Sequence, residues 1–197
     1  MKSRITSVLP FVAILVLLWG GIGNAAPSDS GVFDFDDCTL QGWTPEPSFG
    51  GSLFADCTGG NSDGFMVATD NVSGGGGLYA RAPAPFQGDL SGFTGVQWDA
   101  FVYDNGTATV GNTSVVLRGV DGTSYESSRT LGPIGVWITH FVPFDDPTAW
   151  TQIEGTASFT DVLTQVEAVF VSMDTSVRSD GARESGVDNV TLVQTIR

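Results

Sequence analysis

The 197-residue chain contains a single histidine, His140, the side chain best suited to general acid–base chemistry near neutral pH. A Ser-His-Asp hydrolase would need this histidine, but one histidine among many serines and aspartates is only a match of composition. His140 shares a predicted strand face with Ile138 and Val142, which favours a satisfied core or edge histidine. We therefore predict no catalytic residue.

Paired carboxylates are the second chemistry to consider, because glycoside hydrolases use two facing carboxyl groups about 5–9 Å apart. Sequence spacing cannot reveal such a pair, and an acidic chain carries many solvated carboxylates in any case. A glycoside hydrolase is therefore the least favoured function, and its candidate residues would be Asp99, Glu126, Asp145, Asp146 and Glu167.

Aspartates near both ends of the chain suggest a structural calcium ion. Hard cations take several oxygen ligands, and Asp34 and Asp36 lie in the first predicted strand while Asp188 lies in the last. If these strands are neighbours, as in many carbohydrate-binding jelly rolls, the carboxylates could meet at Ca²⁺. The alternative is that Asp188-Asn189 forms a side-chain-to-backbone bond at a strand entry.

Aromatic side chains are the residues best suited to bind sugars, because the apolar face of a sugar stacks on an exposed ring. Trp98 alternates with Val96 and Val102 and is predicted to be in the core. Trp137, Phe101 and Tyr103 fall in the opposite alternation class and are the predicted ligand-binding residues. Burial is the alternative, because two-layer sandwiches bury rings from both layers.

The two cysteines, Cys38 and Cys57, are predicted to form a disulfide. Closing a loop of about 20 residues stabilises a fold by roughly 3 kcal/mol. Two thiols are too few for a structural zinc site, and redox-active pairs usually lie two residues apart.

The N-terminus is typical of a secretory signal peptide. Lys2 and Arg4 precede an apolar run, and small residues follow at Gly23 and Ala25, so we predict cleavage after Ala25. The alternative, an uncleaved membrane anchor, would need an apolar run of about 20 residues. The predicted organisation is a signal peptide at 1–25, a flexible N-terminus at 26–31 and one domain at 32–197, secreted or periplasmic, with no membrane attachment after cleavage.

The chain is strongly acidic, with 22 Asp and Glu against 8 Lys and Arg and a formal net charge of −14. Such a surface repels phosphate backbones and anionic lipids, so nucleic acid and membrane surfaces are not expected partners. Neutral ligands and divalent cations suit it better.

Short apolar runs punctuated by glycine predict an all-β sandwich. One short helix is predicted at 160–166, with Ser158 or Thr160 as its cap. Residues 42–55 are predicted to be loop. The predicted strands are 32–36, 64–69, 77–82, 95–104, 114–120, 124–130, 135–144, 167–174 and 186–195.

Two segments resemble the laminin B domain, also called laminin IV type A, in its stand-alone bacterial form. The first, Leu78–Ser91, has an aromatic residue followed by Ala-Pro, Phe and Gly-Asp, and the second is Gly186-Val187-Asp188-Asn189-Val190-Thr191-Leu192. With intervening elements in the same order, the resemblance covers about residues 32–195. It implies a galactose-binding-like jelly-roll β-sandwich with an extracellular role and no catalytic residues.

These observations favour a secreted, non-catalytic binding or adhesion module that recognises an extracellular glycan or a surface protein. The alternative is a calcium-stabilised structural component of a matrix or surface layer. Apart from this structural Ca²⁺, no cofactor is expected.

Overall fold

The computed structural model describes residues 31–46, 50–61, 63–70, 77–103, 111–173 and 183–194. The predicted signal peptide at 1–25 and residues 26–30 of the flexible N-terminus lie outside these ranges. The described part contains eleven strands: β1 Thr44–Pro45, β2 Gly51–Asp56, β3 Phe65–Asp70, β4 Tyr79–Arg81, β5 Phe93–Val102, β6 Asn112–Gly119, β7 Ser124–Thr130, β8 Ile138–Pro143, β9 Thr151–Glu154, β10 Val166–Ser172 and β11 Arg183–Gln194.

The strands form two sheets in which all paired neighbours are antiparallel. One sheet has six strands in the order β1-β4-β10-β6-β7-β9, and the other has five in the order β2-β3-β11-β5-β8. The last two strands, β10 and β11, are central in different sheets, so each sheet is completed only by the C-terminal part of the chain. The predicted all-β sandwich is confirmed.

Alternating side chains fill the core between the sheets. In β5, Val96, Trp98, Ala100 and Val102 are all buried, as their shared face predicts. The indole Nε1 of Trp98 donates to the Thr113 hydroxyl at 3.2 Å, which satisfies its one polar atom inside the core. The prediction that Trp98 is a core residue is therefore confirmed.

A single α-helix, α1 at Phe159–Thr164, is found where one was predicted. The Ser158 hydroxyl accepts the backbone N–H of Asp161, so Ser158, and not Thr160, is the N-cap. The helix buries Phe159, Val162 and Leu163. Two 3₁₀ turns, Ala84–Phe86 and Pro147–Ala149, each have a proline among their first two residues and were not predicted.

The prediction of a first strand at 32–36 is wrong. Only Phe33 pairs there, through an isolated antiparallel bridge to Val190, and Phe35 has a φ of 55°, which extended backbone cannot have. The prediction of loop at 42–55 is also wrong, because β1 and β2 lie there. The strand β9 was missed as well; it is short and fully exposed, so it has no alternation of burial to detect.

The predicted disulfide between Cys38 and Cys57 is present, with the two Cα atoms 4.9 Å apart. It ties the N-terminal segment to the residue that follows β2. Among the described residues, no helix has the length and apolar character needed to cross a bilayer.

Candidate functional site

The three predicted ligand-binding rings meet on the outer face of the five-stranded sheet. The ring centroids of Phe101 and Tyr103 are 5.0 Å apart, and those of Phe101 and Trp137 are 5.2 Å apart. All three side chains are partly exposed. We call Phe101, Tyr103 and Trp137 the aromatic platform.

Phe65, which the sequence analysis did not identify, supports the platform from β3. Its ring is buried and meets Trp137 edge-on, with the centroids 5.4 Å apart. Gly186 of β11 lies beneath both rings: a Cβ atom there would be 2.7 Å from the Phe65 ring and 3.0 Å from Cη2 of Trp137. The absence of a side chain at Gly186 is therefore what lets the indole lie against the sheet.

The segment at residues 57–61 holds the platform from one side. The Trp137 indole donates its N–H to the carbonyl oxygen of Gly59 at 3.0 Å. Two residues on, Asn61 binds the sheet with its backbone N–H and its side chain. Because the segment starts at the disulfide-bonded Cys57, it is fixed at both ends, and so is the orientation of the indole.

Asp99 lies under the 57–61 segment and is 4% exposed. Its Oδ2 accepts the side-chain amides of Asn61 and Asn189, at 2.8 and 2.9 Å, and its Oδ1 accepts the Thr139 hydroxyl. Hydrogen bonds of this number are what a buried carboxylate requires. Asp99 is thus a structural anchor for the loop.

Asp188 lies directly opposite Asp99 in the pairing of β11 with β5 and is fully buried. Its two oxygens accept the backbone N–H groups of Asn61 and Asn189, each at 2.7 Å. Burial raises the pKa of Asp188 to about 6; the two backbone N–H groups oppose the rise, while the charges of Asp99 and Asp36 add to it. The bond to Asn189 is the side-chain-to-backbone alternative anticipated from the sequence.

The residues predicted to bind calcium are only partly brought together. The Phe33–Val190 bridge places the N-terminal segment beside the last strand, and Asp36 is near enough to raise the pKa of Asp188. The Asp34 carboxylate accepts instead from Gln41 and from the backbone of Asp36. Among the described residues, no three His, Cys, Asp or Glu side chains cluster to hold a metal, so a calcium ion would need backbone carbonyl or water ligands as well.

His140 is a core residue without catalytic geometry. It is 7% exposed, its ring packs on Trp98 at 5.4 Å, and its Nε2 has no hydrogen-bond partner in the described part of the chain. The prediction of a core position is confirmed, but the prediction of a satisfied histidine is wrong. Burial lowers its pKa, the charge of Arg129 lowers it further, and Asp99 opposes the change.

One serine motif was missed in the sequence. Gly60-Asn61-Ser62-Asp63-Gly64 matches the spacing of a nucleophile elbow, which in hydrolases joins a strand to a helix. Here the stretch lies between β2 and β3, and Ser62 is outside the described residues. The strand–turn–helix context that the motif requires is therefore absent from the described segments on either side.

The candidate carboxylates for glycoside hydrolysis are divided between the two sheets. Asp99 belongs to the five-stranded sheet and Glu126 to the six-stranded sheet, so they lie on different layers. Asp146 caps the turn at Pro147–Ala149, and the Thr148 hydroxyl and N–H lower its pKa. Asp145 and Glu167 are exposed, and no hydrogen bond links either to another candidate in the described residues.

A second surface lies on the outer face of the six-stranded sheet, and the sequence analysis did not predict it. A cavity of about 180 Å³ is lined there by Glu46, Tyr79, Val116, Arg118, Ile153 and Phe170. These residues come from β4, β6, β9, β10 and the residue after β1, so the cavity runs across the strands. We call it the groove.

Arg118 is the distinctive residue of the groove. Its guanidinium carbon lies 4.9 Å from the centroid of the Phe170 ring, in cation–π geometry. No ion pair or hydrogen bond of the Arg118 side chain is found within the described residues, although the chain carries 22 acidic residues. The sequence signal that could have identified it is an arginine directly after the apolar run Val115-Val116-Leu117.

No known protein-family model matches the sequence, and no curated protein is significantly similar to it. Solved structures are similar. A family 11 carbohydrate-binding module from Clostridium thermocellum, in complex with a β-1,3-1,4-mixed-linked tetrasaccharide, is 17% identical with a TM-score of 0.51, over 86% of this chain and 99% of that one.

Two further structures have a similar fold. The CBM22-1-CBM22-2 tandem domain of Paenibacillus barcinonensis Xyn10C is 18% identical, with a TM-score of 0.56 over 86% of this chain and 50% of that one. The L4b domain of human laminin alpha-2 is 12% identical, with a TM-score of 0.50 over 61% and 71%. At these identities the similarity is one of fold, and it confirms the predicted jelly-roll β-sandwich.

Proposed function

We propose that this protein is a non-catalytic glycan-binding module whose ligand lies in the groove. The observation that carries the proposal is Arg118, whose guanidinium is held on the Phe170 ring and makes no hydrogen bond or ion pair among the described residues, at the wall of a cavity also lined by Tyr79. A stacked guanidinium offers several N–H donors in a fixed plane, which suits the hydroxyl groups of a sugar.

The groove combines the two kinds of contact that sugars require. Tyr79, Val116, Phe170 and Ile153 supply apolar surface for the faces of pyranose rings, while Arg118 and Glu46 supply a charged donor and a charged acceptor. Because the cavity crosses several strands, it suits an extended chain better than a single compact molecule.

The shared fold supports this proposal. The Clostridium thermocellum module was solved with a bound oligosaccharide, and this chain has the same jelly-roll architecture. The identity of 17% does not carry individual ligand contacts from that protein to this one. We also propose that the chain is exported, with its signal peptide at 1–25 and its domain at 32–197, which agrees with the disulfide.

Membership of the laminin B family remains a proposal. The similarity to the laminin alpha-2 L4b domain supports it at the level of fold. A surface protein as ligand is the corresponding alternative to a glycan, and the structure of the groove favours the glycan because its polar groups are few and are separated by rings.

The experiment is a binding screen of residues 26–197 against β-1,3-1,4-glucan, xylan and agarose. We expect saturable binding to at least one polysaccharide, and we expect Tyr79→Ala and Arg118→Ala each to weaken about tenfold or more the part of this binding that takes place in the groove. Arg118→Lys keeps the charge but loses the planar stack, so its affinity should lie between those of the wild type and Arg118→Ala. Phe141→Ala, which removes an exposed ring from the other sheet, is the matched control. Unchanged binding in both groove variants would refute the site.

A calcium-stabilised structural component is the second candidate function. The observation in its favour is that the charges of Asp99 and Asp36 both act on the buried carboxyl group of Asp188. We propose that a divalent cation near Asp36 and Asp188 would relieve this repulsion. This function predicts stabilisation by calcium and self-association without a glycan.

A further inference from the structure

We propose that the aromatic platform is a second, independent sugar-binding surface, so that one domain holds two polysaccharide chains at once. The ligand class rests on the proposed function, but the surface is a different one. The groove lies on the six-stranded sheet and the platform on the five-stranded sheet, so they face away from each other across the core.

The platform is rigid before any ligand arrives. Trp137 is in ring contact with Phe65 and Phe101, rests over Gly186, and donates its only polar hydrogen to Gly59. Since the indole N–H is used within the protein, the partly exposed part of the ring is a purely apolar surface. Little side-chain freedom is lost when a ligand stacks on it, and this preorganisation favours binding.

The surroundings of the platform select a neutral, hydroxyl-rich ligand. Asp99 and Asp188 lie next to it in the same sheet, and their carboxylates oppose the approach of an anion. Phe101 and Tyr103 add two further rings in series with Trp137, at centroid spacings of 5.2 and 5.0 Å. Trp137 and Phe101, whose planes are tilted by 37°, offer ring faces to successive sugar units of an extended chain, and Tyr103 meets Phe101 edge-on at 78°.

Two surfaces on opposite sheets give the domain a bridging role. A polysaccharide lying in the groove cannot also lie on the platform, because the two packed sheets and their core separate them by about 10 Å or more. A domain with both surfaces links two chains without forming a dimer. Such linkage is an adhesion function within a single module.

The experiment measures stoichiometry and bridging separately. The ligand is the polysaccharide that binds in the screen of β-1,3-1,4-glucan, xylan and agarose. Its oligosaccharides are titrated calorimetrically into residues 26–197 to count the sites. Beads coated with the same polysaccharide are mixed with the protein, and their aggregation measures bridging. The variants are Trp137→Ala for the platform, Tyr79→Ala for the groove, both together, and Phe141→Ala as the control for an exposed ring. Trp137→Phe keeps an aromatic ring but loses the hydrogen bond to the Gly59 carbonyl. Melting temperatures verify that each variant is folded.

We expect two ligands per wild-type chain, one per chain in either single variant, and none in the double variant. Bead aggregation should be lost in both single variants and kept in Phe141→Ala. Loss of one ligand in Trp137→Ala with no effect of Tyr79→Ala would refute the groove and leave the platform. One ligand per wild-type chain, aggregation that survives Trp137→Ala, or no binding to any of the three polysaccharides would overturn the second site.

Discussion

Three buried polar side chains of the five-stranded sheet differ in how their polar atoms are satisfied. Asp99 accepts three side-chain hydrogen bonds, and Asp188 accepts two from the backbone. His140 leaves its buried Nε2 without a partner in the described chain. A buried nitrogen of this kind destabilises the fold, and it does so more strongly once the ring is protonated.

The first prediction concerns the pH dependence that His140 creates. Its pKa is lowered in the folded state, while in the unfolded chain it returns to about 6.5. Below that pH the unfolded chain takes up a proton that the folded chain resists, so stability is full above about pH 7 and falls as the pH decreases. We expect a loss of at most about 1 kcal/mol between pH 7 and pH 5.5 from this residue, the limit reached when the folded chain takes up no proton at His140.

Urea unfolding of the wild type and His140→Gln across this range measures the effect. Asp188 titrates with an opposite slope, but both proteins carry it, so the difference between the two curves isolates the histidine. Arg129 and Asp99, which act on His140, are also common to both proteins. Parallel curves for the two proteins would show that His140 is protonated equally in the folded and unfolded states.

The second prediction concerns Gly186. In Gly186→Ala the new methyl group overlaps the Phe65 and Trp137 rings, so the indole must move away from the sheet. We expect a destabilisation of about 1–3 kcal/mol, together with a shift of Trp137 fluorescence. Gly92→Ala is the matched control, because a Cβ there has no atom within 4 Å. Equal stability of the two variants would contradict the close packing at Gly186.

At the scale of elements, alternation and turn residues were enough to predict eight of the eleven strands and the helix. These local signals failed where tertiary contacts determine the backbone conformation. The 32–36 segment alternates like a strand, yet Phe35 adopts a positive φ as the chain turns toward the disulfide. Conversely, β2 pairs with β3 over its whole length although Phe54 is the one strong strand former in Gly51–Asp56.

The candidate sites could be predicted only in part for the same reason. Alternation places Phe101, in β5, and Tyr103, directly after it, on the same face, so local pattern was sufficient for them. Phe65 and Gly186 join them only through the pairing of β3, β11 and β5, and the groove depends on the order of five strands. Strand order is a property of the whole chain, which periodicity within one segment does not contain.

The third prediction concerns the start of α1. The Ser158 hydroxyl accepts the backbone N–H of Asp161 and donates to its carboxylate, so Ser158→Ala removes both bonds. We expect a destabilisation of about 1 kcal/mol, measured by thermal unfolding. Thr160→Ala, at the other residue considered as a cap, should lie within about 0.5 kcal/mol of the wild type. A larger effect at Thr160 than at Ser158 would reverse the assignment of the cap.

At the scale of the whole molecule, the distinctive property is the strongly negative net charge. A formal charge of −14 on a 20.6 kDa chain creates repulsion among carboxylates in the folded state. Burial raises the pKa of one of these carboxyl groups, Asp188, to about 6, and the charges of Asp99 and Asp36 add to the rise. Added salt of any kind screens the general repulsion, whereas only a bound cation would act on the charges around Asp188. The two effects can therefore be measured separately.

The fourth prediction uses this difference. Between about 0.01 M and 0.15 M ionic strength the Debye length falls from about 30 Å to about 8 Å, so NaCl should raise the melting temperature of the mature chain by screening its net charge. At matched ionic strength we expect CaCl₂ to raise it further, by about 2–4 °C for each kcal/mol of binding. A chelator should reverse only the rise in melting temperature that calcium causes.

Two variants test where calcium acts. Asp36→Asn should abolish the response to calcium and keep the response to NaCl. Asp89→Asn, at an exposed aspartate that likewise accepts a backbone N–H, is the control and should keep both responses. If CaCl₂ and NaCl act equally, screening accounts for the whole effect and the calcium site is refuted.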